Sequence, residues 1–364
     1  MMVASSVKAS VRLGFWDHYL GPRVLGLDIL RIFASVSIVA YHGNLNKLLG
    51  HAPLVDRFVV NDFLAVPLFF VLSGWLLTGQ LLRIQSRGVD GRTLAIRFWM
   101  RRWFRTLAPY WICLVVVLAV SHGISPRPLL THLLFLQTLL PPNAYSVSWS
   151  LVAEEWFYLA LPLMVLLAAT RRGRVVVAAV VLIALAGPPI VRALLLNQGS
   201  AVVLSQPQAN CEGLALGALL AVVWTREGWR SVLQQHALPL AVVGLGCAVA
   251  ANTLAPFSPL FLVAGIALFN LAMVAVIPYA LRLGWPAKSP AVVVGAVTFL
   301  AELTYAIYLV HQPIIAALAP LKARGPLLVT LIEVLTILAT ATALHLLIER
   351  PCLMIRDRLW QRER

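Results

Sequence analysis

The segment from Leu27 to His42 is apolar and of membrane length, yet it carries the ionisable side chains of Asp28, Arg31 and His42. Ionisable groups are costly inside a bilayer and usually face a bundle interior or a wet cavity. Arg31 and His42 are separated by close to three helical turns, so they share one helix face about 16 Å apart along the axis. Asp28 precedes Arg31 by one turn, the spacing of an i,i+3 pair. This polar stripe indicates chemistry carried out across a membrane.

The composition excludes an ordinary soluble domain. The mean hydropathy is +0.87, 60% of the residues are hydrophobic and 12% are charged, which is typical of a polytopic membrane bundle. A net charge of +15 would also suit a nucleic-acid partner, but basic loops facing the cytoplasm explain it more simply, and no nucleic acid is expected. The four cysteines form no CxxC pair, so the sequence predicts neither a disulfide framework nor a metal site.

The hydropathy pattern predicts an all-α bundle of about ten membrane helices in a single domain, residues 1–364. The predicted spans are residues 24–42, 63–83, 104–121, 149–169, 175–196, 211–224, 238–256, 259–282, 299–319 and 326–348. An eleventh apolar stretch, residues 129–140, has only twelve residues. It is therefore interpreted as an outer interfacial or re-entrant segment that does not cross the bilayer.

The distribution of Lys and Arg predicts the topology. With residues 129–140 outside, both termini are cytoplasmic, and 22 Lys and Arg residues face the cytoplasm against six outside. That asymmetry agrees with the positive-inside rule. The predicted cytoplasmic parts include an N-terminal segment (1–23), an arginine-rich loop from Arg83 to Arg105, and a short basic tail (350–364). In this topology His42 lies at the outer end of the first helix.

Five more polar residues fall in or beside predicted helices. Ser73 lies near mid-membrane in the second helix, Glu154 and Glu155 in the outer part of the fourth, His311 in the middle of the ninth, and Glu349 at the end of the tenth. A carboxylate in the outer half of a bilayer needs a partner or water, which makes Glu154 the hardest of them to explain without a function.

Structural interpretations remain open for several of these residues. Ser73 precedes Gly74, and such a pair suits a small-residue helix contact. His311 precedes Pro313, whose ring frees a carbonyl one turn back, so the histidine is expected to form a hydrogen bond at that kink. The arginines from Arg101 to Arg105 would also serve as a topology signal or a phospholipid anchor.

Six segments resemble motifs of the acyltransferase-3 family of integral membrane acyltransferases, and they occur in the family's order over nearly the whole chain. They are GLDILRIFASVSIVAYH (26–42), FFVLSG (69–74), RRWFR (101–105), WSLVAEEWFYL (149–159), LTYAIYLVHQP (303–313) and ERP (349–351). Trp156 and Gln312 depart from the residues often found at these positions, which affects the fit of the acceptor more than the type of reaction.

The resemblance implies transfer of an acyl group, usually acetyl, from cytoplasmic acyl-coenzyme A to a hydroxyl, often on a carbohydrate. It also implies a multi-pass protein of the bacterial plasma membrane. We expect His42 to act as the general base, because histidine titrates near neutral pH. Arg31 would hold the donor's polar arm or a developing charge, and Glu154 would orient His42 and complete the catalytic set. Asp28, Tyr308 and Glu349 are expected to support these residues.

Donor binding is assigned to residues that suit the chemistry of coenzyme A. Its head group is a cluster of phosphates, and the guanidinium forks of Arg101, Arg102 and Arg105 match phosphate geometry. Ser73 and His311 are placed with them. An acyl-enzyme intermediate on a histidine or on Ser73 also remains open.

Two other functional classes compete with the enzyme. A transporter or flippase for a lipid-linked sugar would also place charged residues in a polytopic bundle, and a receptor or assembly subunit needs no catalytic group. Neither requires a base at one face together with an arginine cluster at the other. Turnover of acetyl-coenzyme A by the purified protein would separate the enzyme from both.

Overall fold

The structure is a computed structural model that describes residues 24–43, 65–121, 125–140, 143–255 and 257–361. In these ranges the regular elements are helices, and no strand is present. The α-helices, in chain order from α1 to α14, are Leu25–His42, Ala65–Gln85, Gly91–Ser121, Pro126–Leu133, Trp149–Leu167, Arg171–Leu195, Ser200–Ser205, Glu212–Trp224, Glu227–Gln235, Ala237–Thr253, Ile266–Ala280, Ala291–Leu318, Pro326–Leu344 and Arg350–Gln361. One π-helical turn (261–265) precedes α11 and another (345–349) follows α13.

The prediction of an all-α polytopic bundle is confirmed. Within the described ranges, eight helical spans are long and apolar enough to cross a membrane, and α9 with α10, bent by 69°, gives a ninth. The predicted span 211–224 corresponds to α8, which has only 13 residues. Helix α4 (Pro126–Leu133) overlaps the start of the stretch 129–140 that was not expected to cross, and with eight residues it is too short for a span.

The segment from Arg83 to Arg105, predicted as a cytoplasmic loop, is mostly helical. Helix α3 begins at Gly91, and the carboxylate of Asp90 accepts a hydrogen bond from the backbone N–H of Thr93 at 3.0 Å, as a helix-capping residue does. A series of arginines lowers the mean hydropathy of a segment, and a segment of low hydropathy between two spans is predicted as a loop. Arginine nevertheless has high helix propensity, and residues four apart lie on one helix face.

Both ends of the chain were predicted to be cytoplasmic segments. The N-terminal segment, residues 1–23, lies outside the described residues. The predicted basic tail, residues 350–364, is helical as far as Gln361 in α14, and its last three residues also lie outside the described part.

Helix α2 packs against α8 through glycines. A Cβ atom on Gly74 would lie 2.1 Å from the carbonyl oxygen of Leu214, and one on Gly217 would lie 2.1 Å from that of Val71. Only residues without a Cβ allow the two backbones to approach so closely. The small-residue contact expected of the Ser73–Gly74 pair therefore belongs to Gly74.

Arg192 was one of the six Lys and Arg residues counted outside the membrane, but the structure places it within a helix and not in a loop. Its side chain is fully buried in α6, where it donates to both carboxylate oxygens of Glu212, at 3.0 and 3.1 Å, and to the carbonyl of Ala209 at 2.7 Å. The side-chain amide of Asn270 donates to the same carboxylate at 2.8 Å. This cluster ties α6, α8 and α11 together.

Replacing Arg192 with methionine is expected to destabilise the protein by about 3 to 5 kcal/mol, because it leaves the buried Glu212 carboxylate without its cation. Thermal unfolding in detergent measures the effect. Arg172→Ala, at an exposed position of the same helix, is the matched control and should change little. A double variant, Arg192→Met with Glu212→Leu, should recover much of the loss, since the unpaired charge is gone. Equal unfolding temperatures for Arg192→Met and the wild type would contradict the assignment.

Candidate active site

One cavity of about 470 Å³ lies between α2, α3, α5 and α12, and Arg31 of α1 reaches its wall. Its lining contains two kinds of polar groups: the guanidinium groups of arginines, and the hydroxyl and carboxylate groups of other residues. The arginines are Arg31, Arg83, Arg87, Arg97, Arg101, Arg102 and Arg105. The other polar residues include Ser73, Thr106, Ser150, Glu154, Thr304, Tyr305 and Tyr308.

A chain of hydrogen bonds runs along the wall of this cavity. The hydroxyl of Ser73 donates to Oε1 of Glu154 at 2.8 Å, and the hydroxyl of Tyr158 donates to Oε2 at 2.6 Å. The Tyr158 hydroxyl in turn accepts a hydrogen bond from Arg102 at 3.0 Å. Both oxygens of the Glu154 carboxylate are thereby held in fixed positions.

Tyr158 is itself held on three sides. The guanidinium of Arg102 lies 4.6 Å from the centre of its ring, and the indole N–H of Trp99 donates to its backbone carbonyl at 3.0 Å. The Tyr158 side chain is fully buried. Arg102 therefore does more than line the cavity, because it packs on and bonds to the residue that fixes Glu154.

The predicted pairing of Asp28 with Arg31 is confirmed. A carboxylate oxygen of Asp28 lies 3.5 Å from a guanidinium nitrogen of Arg31, and Asp28 is buried while Arg31 keeps about a quarter of its side chain exposed. The carboxylate thus offsets part of the charge of Arg31 and leaves the guanidinium on the cavity wall.

His42 and His311 form a second cluster, with their ring centres 5.2 Å apart. His311 is fully buried, and its Nδ1 lies 2.7 Å from the backbone carbonyl of Tyr308. Since a carbonyl only accepts, Nδ1 carries the proton and Nε2 presents a lone pair. Among the described residues, that Nε2 has no hydrogen-bond partner.

The expectation for His311 at the proline kink is only partly correct. Pro313 lies inside α12 and frees the carbonyl of Leu309, one turn earlier. The hydroxyl of Tyr145 donates to that carbonyl, whereas His311 bonds to the preceding carbonyl, that of Tyr308. The kink is therefore satisfied by a tyrosine from the segment before α5.

Two expectations about His42 are corrected. Because Arg31 and His42 share one helix face, Arg31 was expected to line a channel with His42 at its outer end, but Arg31 is among the residues that line the cavity and His42 is not. Glu154 was expected to orient His42, but its carboxylate accepts from Ser73 and Tyr158. Tyr308 lines the cavity, and its ring lies 5.7 Å from that of His311, centre to centre, so it connects the cavity lining to the histidine pair.

Glu349 connects the base of the cavity to a buried histidine. One of its oxygens lies 3.8 Å from Nε of Arg105, and the other is 2.9 Å from Nδ1 of His345. On the other side of the ring, Nε2 of His345 lies 3.6 Å from a carboxylate oxygen of Glu302. The supporting position predicted for Glu349 agrees with these contacts, while His345 and Glu302 were not predicted.

Residues 24–350 match the model of a family described as the acyltransferase domain. The chain belongs to the acyltransferase-3 family. The match covers most of the chain, including every helix that contributes to the cavity and to the two histidines.

The acyltransferase-3 chain is also similar to longer bacterial proteins. It is 25% identical over 372 residues to the O-acetyltransferase OatA of Staphylococcus aureus, an alignment that covers 92% of this chain and 58% of the relative. It is 27% identical over 170 residues to the peptidoglycan O-acetyltransferase OatA of Listeria monocytogenes, covering 41% of this chain and 25% of the relative. The chain thus spans less than two thirds of either protein. No solved structure matches it.

Five of the six family segments meet at the cavity of this acyltransferase-3 chain, since residues of 26–42, 69–74, 101–105, 149–159 and 303–313 all line it. Sequence reasoning did not single out three hydroxyl groups there. Tyr158 bonds to Glu154, Thr106 donates to Glu155 at 3.1 Å, and Tyr305 donates to the carbonyl of Thr106 at 2.8 Å. Tyr158 and Tyr305 lie within the family segments 149–159 and 303–313, and this position is the feature of the sequence that could have identified them.

Proposed function

We propose that this protein is a membrane O-acyltransferase that moves an acyl group, acetyl in the first instance, from cytoplasmic acyl-coenzyme A to a hydroxyl of a glycan or glycoconjugate. Family membership and the two O-acetyltransferase relatives support the reaction type. The observation that carries the proposal is the cavity itself, whose lining holds seven arginines together with Ser73 and the Glu154 carboxylate to which Ser73 donates.

The arginine end of the cavity suits the donor's phosphates. Arg97, Arg101 and Arg105 follow one another every four residues along α3, so they share one helix face and span about 12 Å. Guanidinium groups bind phosphate through two parallel hydrogen bonds, and several of them in one wall offer a continuous site for a diphosphate and a further phosphate. The acyl thioester would then extend toward Ser73 and Tyr308.

On the acceptor side, His42 is proposed as the general base that takes the proton of the attacking hydroxyl. The lone pair of His311 Nε2, 0% exposed and beside the His42 ring, supports a polar site there, because a buried acceptor without a partner is unfavourable until something donates to it. Arg31 is proposed to stabilise charge on the donor side of the reaction.

The acceptor class rests on the relatives, one of which is named for peptidoglycan. A glycan is proposed for this chain as well, with a bacterial plasma membrane as the location and residues 1–364 as one domain. A transporter or flippase for a lipid-linked sugar is the competing proposal, and it predicts substrate movement without consumption of acetyl-coenzyme A.

The test compares surface glycans and secreted metabolites by mass spectrometry with and without the gene, together with acetyl-coenzyme A consumption by the purified protein in vesicles. We expect a one-acetyl mass difference in a glycan and release of coenzyme A that depends on a hydroxyl acceptor. Movement of a lipid-linked sugar with no consumption of acetyl-coenzyme A would overturn the proposal in favour of the transporter.

The proposed topology places both termini and the turn before α6 in the cytoplasm, with His42 near the outer face. In a variant lacking the four native cysteines, a cysteine at exposed Arg172 should react with an impermeant maleimide only in inside-out vesicles. A cysteine at exposed Gln208 should react only from the outside. The reverse pattern at residue 172 would contradict the charge-based orientation.

A further inference from the structure

Ser73 has the surroundings of an activated nucleophile. Its hydroxyl lies on the cavity wall and donates to Glu154 at 2.8 Å, and the carboxylate is oriented by Tyr158, which is bonded to Arg102. A nucleophile within hydrogen-bond reach of a base, with the base oriented by a third group, is the arrangement used in covalent catalysis.

The position of Ser73 along α2 matches the place where a thioester would lie. Ser73 and Arg83 are ten residues apart on one helix, which puts about 15 Å between the arginine end of the cavity and the serine. An extended phosphopantetheine arm is of that order. Ser73 lines the cavity and His42 does not, so the Ser73 hydroxyl is the group within reach of a thioester bound there.

The backbone around Ser73 is held firmly enough to fix that geometry. Gly74 packs against the carbonyl of Leu214, so α2 has no space to rotate or slide against α8 at this level. With the backbone held in this way, the Ser73 hydroxyl donates its hydrogen bond to Glu154 of α5.

We propose that Ser73 accepts the acyl group from the donor and carries it as an ester before the acceptor receives it. The proposal rests on the proposed function, because it takes acyl-coenzyme A as the donor.

The first half of the reaction exchanges one bond for another. As Glu154 removes the Ser73 proton, Oγ attacks the thioester carbonyl, and the tetrahedral intermediate expels the sulfur. The carbon–sulfur bond breaks, an ester bond to Ser73 forms, and the proton on Glu154 passes to the departing thiolate. Arg31, on the same wall, faces the charge that develops on the carbonyl oxygen.

The second half restores the serine. The acceptor hydroxyl loses its proton to the base of the acceptor side and attacks the Ser73 ester. The ester bond to Ser73 breaks as the bond to the acceptor forms, and the proton that the base took from the acceptor hydroxyl is returned to Ser73 Oγ. No oxidant, reductant or further reactant is needed.

The test uses purified full-length protein, radiolabelled acetyl-coenzyme A and no acceptor. We expect protein-bound label that survives acid quenching, is released by hydroxylamine, and maps by mass spectrometry to the peptide containing Ser73. We also expect exchange of label between acetyl-coenzyme A and free coenzyme A. Ser73→Ala should still bind the donor but lose both signals, and Ser73→Cys should retain exchange through a thioester.

Two further variants separate a catalytic role from a structural one. Glu154→Gln keeps the size of the side chain and can accept a hydrogen bond from one hydroxyl and donate to the other, but it cannot take a proton, so acylation should slow by about 10²- to 10⁴-fold. Ser37→Ala removes another buried hydroxyl, one that donates to a backbone carbonyl in α1, and should leave labelling unchanged.

The failures of the two proposals differ. Donor binding and acceptor-dependent transfer in the absence of label and exchange would overturn the Ser73 intermediate alone, as would label on another residue. Absence of donor binding in the wild type would overturn the proposed function and this inference with it.

Discussion

His42→Ala is expected to lower the rate of acyl transfer to the acceptor by about 10²- to 10⁴-fold, the usual cost of removing a general base. Donor binding should be nearly unchanged, because His42 does not line the cavity that contains the arginines. The measurement is transfer of labelled acetyl from acetyl-coenzyme A to a glycan acceptor, with donor affinity determined separately by equilibrium binding.

His236→Ala is the matched control, since His236 is an exposed histidine at the end of α9 and should be replaceable without effect. If acylation of Ser73 precedes transfer, His42→Ala should accumulate the labelled protein, because only the second half is slowed. A folded, donor-binding His42→Ala protein with normal turnover would contradict the role of His42 as the base.

The neighbouring histidine sharpens this prediction. His311→Asn keeps a side-chain donor in the position of Nδ1, which bonds to the Tyr308 carbonyl, but removes the Nε2 lone pair beside His42. A smaller loss of rate in His311→Asn than in His42→Ala, with an altered pH profile, would indicate that the two rings share the acceptor's proton or hydroxyl. Identical profiles in the wild type and in His311→Asn would assign His311 only a structural hydrogen bond to the Tyr308 carbonyl.

The membrane helices could be predicted from the sequence because each span needs about 20 mainly apolar residues. Helix α8 has only 13 residues and falls short of that length. Its continuous apolar run, followed by turn residues and charges, was nevertheless enough to predict it. The same criterion failed from Arg92 to Arg105, where arginines on one face of α3 lower the window average although the backbone stays helical. Arg192 was assigned to the outside for a different reason: the mean hydropathy of a segment does not show that a charged side chain has a buried partner of opposite charge.

The candidate site could be predicted as a set of residues but not as an arrangement. The spacing of Asp28 and Arg31 within one helix determines their pairing, and the structure agrees. Partners on different helices depend on how α2, α3 and α5 pack. The bond between Ser73 and Glu154 joins residues 81 positions apart, and no local pattern shows it.

The polar cluster around His345 could not be predicted, because it joins residues of different helices. His345 and Glu349 are four residues apart, a spacing that favours contact on one helix face, but their importance comes from Arg105 and Glu302 on other helices. A π-helical turn carries both residues, and such turns are frequent at functional sites. The turn itself leaves no clear mark in the sequence.

Arg102→Ala combined with Arg105→Ala is expected to weaken acyl-coenzyme A binding by a few kcal/mol in total, since each charge-assisted hydrogen bond to phosphate contributes about 1.5 to 3 kcal/mol. Lysine at both positions should restore only part of the affinity, because an ammonium group cannot form the two parallel bonds of a guanidinium. Equilibrium binding of acetyl-coenzyme A to the purified protein measures both effects.

The single variants should differ from each other, because the two arginines have different neighbours. Arg105 is partly exposed and pairs loosely with Glu349, so Arg105→Ala should raise the KM for the donor and leave kcat nearly unchanged. Arg102 bonds to Tyr158, which holds Glu154, so Arg102→Ala should lower kcat as well. Arg92→Ala, an exposed arginine of α3 outside the cavity wall, should change neither. Unchanged donor affinity in the double alanine variant would leave the cluster only as a topology signal or a lipid anchor.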